Sequence, residues 1–422
     1  MHTARIRVLV IAALAALVVT SAPLVPSATP SARAQSNCPN ATLPPPPVDE
    51  SEEPKPGRQA PAPLPVPAET PGGGRLGECG LVLPPGAPRP PQPLTAKNWL
   101  IQDLDSGQVL AARHPHGRQR PASLIKTLLA LVVIDELDPN RVVRPTKEDA
   151  SQECSCVGIE AGSPYTVHDL LMGLMMESGN DAAHALATAL GGVPTALRKM
   201  NRLARKLGAT DTRAATPSGL DGPGMVTSAY DQALLYRHAL SKPRYVEAVS
   251  TREIAFPGPH GKPSYPVVND DRLHTEYAGF LGGKTGFTSD ARHTYVGGAM
   301  RGGRRIAVVL LRAEQRPIRV SEQAMNMLDY GFQLAAAGTP AVGRVTTAPP
   351  PPPAAPPRTE EAGENGTDAG SRSAAAGGPQ DTAARAADQQ EPTTGVGWII
   401  GIVILVAVAT GVGIALTRDE QI

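Results

Sequence analysis

The spacing of apolar positions changes along this chain, and the changes mark out its elements. From position 124 to 137 nearly every residue is apolar, and Lys126, Asp135 and Glu136 are the only charges. A helix apolar on all sides belongs inside a domain, surrounded by other elements. Pro121 and Pro139 bracket a run well short of the roughly 20 residues a membrane span needs. Upstream, residues 98–103 and 108–112, joined across Asp105-Ser106-Gly107, predict a β-hairpin. Downstream, Thr166 and Asp169 suit the cap and first turn of a helix carrying Leu170, Leu171, Leu174 and Met175. That helix breaks at Ser178-Gly179-Asn180. Helices are then predicted over 181–190, 194–208 and 228–240, strands over 278–287, 294–300 and 305–312, and a closing helix over 321–336. Strands at both ends with helices between them exclude a repeating β-α-β pattern. They predict an α+β domain over 94–338, with one antiparallel sheet made from both ends and a helical cluster inserted.

Composition changes the picture outside that domain. Of 422 residues, 45 are proline and 42 glycine, concentrated in two stretches. Residues 35–93 and 339–395 therefore read as extended or flexible segments, and the second has a typical reach of roughly 40 Å. Residues 1–34 read as a secretory signal: Arg5 and Arg7, an apolar run, then Ala32-Arg33-Ala34 before the cut. Residues 396–416 are uncharged and apolar, with Trp398 at one edge and Arg418 just beyond, and predict a transmembrane helix. The expected topology is an exported, single-pass protein of the cell membrane. The folded domain stands outside the cytoplasm, and residues 417–422 form a short cytoplasmic tail.

Four cysteines in an exported chain point to disulfides, with three pairings open. The reading favours Cys38 with Cys79 and Cys154 with Cys156; neither pair has the C-x2-C spacing of a zinc site. A net charge of +1 and 3% aromatic residues argue against a nucleic-acid partner. His114, His116, His184 and His293 form no H-E-x-x-H or similar cluster. They read as ordinary surface or helix residues, with no metal implied.

The candidate chemistry begins at Ser123-x-x-Lys126, which opens the buried helix. Three residues apart, the two side chains share a face. Burial lowers a lysine pKa, so Lys126 is suited to take a proton from Ser123, and the helix N-terminus favours negative charge on the serine oxygen. Ser178-Gly179-Asn180 interrupts a helix where small and polar residues have no packing rationale. Lys284-Thr285-Gly286 lies on a predicted strand behind Gly282 and Gly283. S-x-x-K, S-x-N and K-T-G in this order characterise the β-lactamases and penicillin-binding proteins.

The pattern narrows further. Ser178-Gly179-Asn180-Asp181-Ala182, Lys284-Thr285-Gly286-Phe287-Thr288 and Thr216-Pro217-Ser218-Gly219-Leu220-Asp221 resemble the low-molecular-mass D-alanyl-D-alanine carboxypeptidases. So does Thr227-Ser228-Ala229-Tyr230-Asp231, and the likeness spans 94–337. The resemblance implies a β-lactamase/transpeptidase-like fold and a cofactor-free serine peptidase. It would remove the terminal D-alanine of peptidoglycan stem pentapeptides, serving cell-wall biogenesis and cell shape. It implies Ser123 as nucleophile and Lys126 as base, with Ser178 passing a proton to the departing amine while Lys126 or Lys284 holds its hydrogen bond. Asn180 would bind a substrate amide, and Lys284 and Thr285 the terminal carboxylate. Gly286 would let the substrate lie close. The backbone N–H groups of Ser123 and Phe287 would form the oxyanion hole. β-Lactams are the implied covalent inhibitors. Many relatives carry a second, all-β domain, in whose place this chain has residues 339–395.

Three other functions use parts of the same pattern. A class A β-lactamase deacylates through a glutamate-held water, yet no glutamate lies between Ser178 and Val246. A D,D-endopeptidase shares all the motifs. A non-hydrolytic penicillin-binding sensor would need a signalling domain for which 417–422 leaves no room.

Overall fold

The computed structural model describes residues 38–347. The signal segment, most of the 339–395 stretch, the 396–416 span and the tail lie outside the described residues. No helix among the described residues is long and apolar enough to cross a membrane. The strands are β1 (Leu81–Val82), β2 (Asn98–Asp103), β3 (Gln108–Arg113), β4 (Val142–Val143), β5 (Tyr165–Thr166), β6 (Glu253–Phe256), β7 (Tyr265–Val268), β8 (Phe280–Thr288), β9 (Arg292–Arg301), β10 (Arg304–Ala313) and β11 (Gly343–Arg344). The helices are α1 (Lys126–Glu136), α2 (Lys147–Ala150), α3 (Val167–Met176), α4 (Asn180–Ala189), α5 (Val193–Leu207), α6 (Ala229–Ala239), α7 (Pro243–Ser250), α8 (Leu273–Glu276) and α9 (Val320–Ala336).

Antiparallel pairing joins the strands in the order β1-β3-β2-β10-β9-β8, with β11 added on β3. The pairing of β2 with β10, Leu100 opposite Val309, joins the first part of the domain to the last. The predicted α+β architecture, one sheet from both ends with helices inserted, is the observed one. Because strand side chains alternate between faces, β10 serves two cores. Ile306, Val308 and Leu310 pack with Trp99, Met327 and Leu328 under α9. Ala307, Val309 and Leu311 face the helical cluster. At the centre of that cluster, Leu128, Leu129 and Leu131 of α1 are fully buried, each stabilising the fold by about 1.5–3 kcal/mol.

Three features depart from the sequence reading. The buried helix is preceded by a 3-10 turn, Ala122–Ile125, so Ser123 sits in a tighter coil than an α-helix would give. The short α7 and α8 and the β6–β7 hairpin carry too little periodicity to be predicted. Both boundaries also move outward. Val342 and Val345 are buried and β11 pairs with β3, so the fold extends past 338.

The proline-rich arm is not free. Disulfides join Cys38 to Cys79 and Cys154 to Cys156. Proline lacks an N–H, so the arm offers mainly carbonyl acceptors and needs donors from elsewhere. Buried arginines supply them. Arg118 donates to the carbonyls of Thr42 (2.7 Å), Leu64 (2.6 Å) and Pro65 (2.9 Å), and Arg120 to that of Pro45 (2.8 Å). Glu52 on the arm pairs with Arg120 (2.7 Å), and Asp290 accepts from the N–H of Val48 (2.5 Å). His116 is buried rather than superficial; its ring lies between Asp211 (2.9 Å) and the Pro71 carbonyl (3.0 Å). Composition alone read this segment as flexible because its arginine donors lie 53 to 76 residues downstream.

Candidate active site

A cavity of about 700 Å³ is lined by Ser123, Ser178, Thr285, Gly286, Phe287, Arg316 and Arg319, among others. Three elements deliver the residues singled out from sequence. Ser123 and Lys126 come from the 3-10 turn and the start of α1, Ser178 and Asn180 from the α3–α4 corner, and residues 284–287 from β8.

Close approach explains two glycines. Gly219, at φ +93°, passes so near the nucleophile turn that a Cβ would lie 2.1 Å from the Ala122 carbonyl oxygen. A Cβ on Gly286 would lie 2.9 Å from the Ser123 nitrogen and 2.5 Å from Thr294 Oγ1. Ala122 itself holds φ +48°, a costly backbone for a side-chain-bearing residue. The nucleophile turn is thus wedged between the 218–219 turn and β8.

Lys126 is fully buried. Its Nζ lies 2.8 Å from Ser123 Oγ, 2.7 Å from Asn180 Oδ1 and 2.5 Å from the Ser218 carbonyl oxygen. Burial, and then the nearby Lys284 charge, push its pKa well below the ordinary lysine value. A neutral amine keeps two N–H bonds and one lone pair. Neither the Asn180 nor the Ser218 oxygen can donate, so the two N–H bonds go to them and the lone pair faces the Ser123 hydroxyl. This geometry suits proton abstraction from serine.

Asn180 is tied on its other side. Its Nδ2 donates to the Glu153 carbonyl (2.6 Å) and its backbone N–H to the Ser155 carbonyl (2.7 Å). Asp181 accepts from the backbone N–H groups of Val157 (3.0 Å), Gly158 (2.8 Å) and Ile159 (3.1 Å). Ser178 holds φ +59°, and its buried Oγ has no hydrogen-bond partner among the described residues. The lysine contact expected for Ser178 is therefore not formed: Lys126 spends its bonds on Ser123, Asn180 and Ser218. Lys284 is buried, with Nζ 3.0 Å from the Thr285 carbonyl. Thr285 Oγ1 donates to Asp270 Oδ2 (2.9 Å), so binding a substrate carboxylate there requires the hydroxyl to turn. Phe287 is exposed at the rim, its ring 4.6 Å from that of His293.

Sequence reasoning missed several residues of this cavity. Ser218 and Gly219 belonged to a matched motif without a role. Arg316 and Arg319 line the wall before α9 and supply positive charge; nothing in their local pattern marked them. Ser155 was passed over as the filler between two cysteines.

A family model described as D-alanyl-D-alanine carboxypeptidase, Peptidase_S11, matches residues 86–315. The D-alanyl-D-alanine carboxypeptidase DacB2 of Mycobacterium tuberculosis is 44% identical over 258 residues, covering 60% of this chain and 87% of that protein. DacD of Salmonella typhimurium is 33% identical over 260 residues, 58% of this chain; the match spans 65% of that relative's length. Among solved structures, a D-alanyl-D-alanine carboxypeptidase from Mycobacterium tuberculosis H37Rv aligns with TM-score 0.59 and 41% identity, over 63% of this chain and all of that one. A mutant of the Streptomyces K15 DD-transpeptidase aligns with TM-score 0.55 and 25% identity, over 58% of this chain.

Proposed function

We infer the activity from a membership that is plain: the chain belongs to peptidase family S11, the D-alanyl-D-alanine carboxypeptidases. It is a serine hydrolase of that class, and its substrate is the D-alanyl-D-alanine end of a peptidoglycan stem peptide. The observation that carries the assignment of roles is Lys126 Nζ, fully buried and 2.8 Å from Ser123 Oγ.

Ser123 Oγ attacks the carbonyl between the two D-alanines while Lys126 takes its proton. The negative oxygen of the tetrahedral intermediate falls to the backbone N–H groups of Ser123 and Phe287; one such donor is typically worth about 3 kcal/mol of barrier. Ser178, which lines the cavity and whose buried hydroxyl has no partner among the described residues, relays the proton to the departing D-alanine amine. The C–N bond breaks, D-alanine leaves, and the rest of the peptide stays as an ester on Ser123. Water then splits that ester and restores the hydroxyl. Lys284, Thr285, Arg316 and Arg319 hold the terminal carboxylate, and Gly286 lets the substrate lie along β8.

β-Lactams present the same acyl centre and should form a long-lived ester on Ser123. Mass spectrometry tests both statements. The protein should convert a pentapeptide to a tetrapeptide with loss of one alanine, and a labelled β-lactam should map to Ser123. Label elsewhere, or release within seconds, would overturn the assignment.

The setting we propose is the outer face of the cell membrane, by export through residues 1–34 and anchorage through 396–416. Deleting residues after Thr347 should release the protein from membrane fractions and leave turnover of a small soluble peptide unchanged. Loss of turnover would mean that the later segment is part of the active fold.

A further inference from the structure

The mechanism above needs Asn180 with its Oδ1 turned toward Lys126. An amide side chain can flip, exchanging oxygen for NH2, and a flipped Asn180 would oppose a donor to the lysine. What decides the orientation lies on the far side of the amide. Nδ2 donates to the Glu153 carbonyl, and the Asn180 backbone N–H donates to the Ser155 carbonyl. The Ser155 carbonyl lies inside the ring closed by the Cys154–Cys156 disulfide, and the Glu153 carbonyl belongs to the peptide bond that enters it at Cys154. Residues 151–159 contain no helix or strand, and residues 153–155 are exposed. No ladder holds these two carbonyls. A bond between Cys154 and Cys156 closes the backbone around Ser155 into a small ring, removing the torsional freedom an open loop would keep. Ser155, at the apex of the ring, also lines the substrate cavity.

We propose that the Cys154–Cys156 ring is a positioning element for catalysis: it fixes the Glu153 and Ser155 carbonyls that orient Asn180, and through Asn180 it holds Lys126 against Ser123. The path is short and every link is a hydrogen bond. The Ser155 carbonyl inside the ring accepts the Asn180 backbone N–H (2.7 Å), the Glu153 carbonyl just before the ring accepts from Asn180 Nδ2 (2.6 Å), Asn180 Oδ1 lies 2.7 Å from Lys126 Nζ, and Lys126 Nζ lies 2.8 Å from Ser123 Oγ. Asp181, next in sequence, ties down Val157 to Ile159 on the other side of the ring. The ring is therefore the part of this wall that neither the sheet nor Asp181 fixes directly.

The inference rests on the serine-peptidase reading, and one assay separates the two. The rate of acylation of Ser123 by a labelled β-lactam is measured across pH in four full-length proteins: wild type, Cys154→Ser/Cys156→Ser, Asn180→Ala and the triple variant. A wild type that is not acylated at Ser123 overturns the peptidase reading, whatever the variants do. With an active wild type, opening the ring should slow acylation roughly tenfold or more, since small misplacements of catalytic groups have effects of that order. The acidic limb of the rate should move to lower pH, because a Lys126 ammonium that loses the Asn180 oxygen is less well stabilised. In the Asn180→Ala background, opening the ring should change the rate little. An unchanged rate in the double variant, an unmoved acidic limb, or an equal loss in the Asn180→Ala background would each overturn the proposal. Should the double variant not fold, a phosphine reductant applied to a Cys38→Ser/Cys79→Ser protein opens the ring in the folded chain. The same slowing, reversed on reoxidation, is then expected, and no slowing after complete reduction overturns the proposal.

Discussion

The two walls of the cavity are built on different principles. One wall is β8, where Lys284 stands opposite Val296, Thr285 opposite Tyr295 and Gly286 opposite Thr294 in a regular antiparallel ladder. The other is the irregular segment 153–159 packed on the α3–α4 corner, where backbone groups are satisfied one at a time by the side chains of Asn180 and Asp181. A ladder spreads position over many equivalent bonds, so no single side chain sets it. A strapped loop depends on each strap. Substitutions on the strand wall should therefore act by shape at the reacting atoms, and substitutions on the loop wall should cost stability and activity together.

The largest effect falls at Lys126, which the loop wall holds through Asn180. Lys126→Ala removes the base and leaves the Asn180 and Ser218 oxygens without their shared donor. Acylation of Ser123 by a β-lactam should fall about 10³-fold, the usual range for losing a general base. Circular dichroism must first show that the variant folds. Acylation at the wild-type rate would mean that another group takes the serine proton. Lys284→Ala should leave that step closer to normal and weaken recognition of the substrate carboxylate.

Gly286→Ala tests the strand wall. Its Cβ would press on the Ser123 nitrogen and on Thr294 Oγ1, and Thr294 Oγ1 already donates to the Pro121 carbonyl (2.9 Å). A displacement of a few tenths of an ångström at the oxyanion donor should lower kcat/KM by about 100-fold, with an overpacking cost of only about 1–3 kcal/mol. A large loss of stability with normal activity in the folded fraction would contradict the comparison.

Asp181→Ala makes the matching change on the loop wall. It removes one carboxylate that accepts four backbone N–H groups, those of Val157, Gly158, Ile159 and Ala182, in a buried setting. Stability should drop by about 3 kcal/mol, on the scale of a broken buried network, and activity by about tenfold as the 153–159 loop loosens. Urea unfolding and peptide turnover measure the two together. An activity loss without a stability loss would mean that the loop is held by something other than Asp181.

This contrast also explains what the sequence made legible. The sheet could be read because its signals are local and periodic. The run Ile306-Ala307-Val308-Val309-Leu310-Leu311 is apolar at every position, as a strand buried on both faces must be. The capping box of α3, Thr166 with Asp169, was equally readable, because both partners lie within one turn. The active-site residues were legible through three short motifs whose chemistry restricts the residue types. The loop wall and the proline-rich arm were not legible, since their stabilising partners are distant in sequence. Asn180 binds carbonyls 25 and 27 residues away, and Arg118 receives the arm from 53, 54 and 76 residues upstream. No composition rule distinguishes a proline-rich tether from a proline-rich arm whose carbonyls meet buried arginines.

The smallest effect is expected against the strand wall, at Asp271. This residue is nearly fully buried beside β8, and a Cβ on Gly283 would come within 2.7 Å of its Oδ2. Burial, with the charge of Asp270 alongside, pushes its pKa up to about 7, from an unfolded value of about 3.9. Below about pH 4 the group is protonated in both states and has no net effect on stability. As pH rises toward 7 the unfolded chain ionises first, so the native state loses stability, and above 7 the loss stays constant. Asp271→Asn cannot ionise, and its Oδ1 can still accept the Leu273 N–H (3.1 Å in the wild type). The variant should therefore match the wild type near pH 4 and exceed it by about 1–2 kcal/mol at pH 8. That figure is smaller than the roughly 4 kcal/mol of a three-unit shift because the pocket relaxes around the charge. Urea unfolding at pH 4, 6 and 8 measures the difference. A gap that is the same at all three values would show that Asp271 is not held protonated against the strand wall.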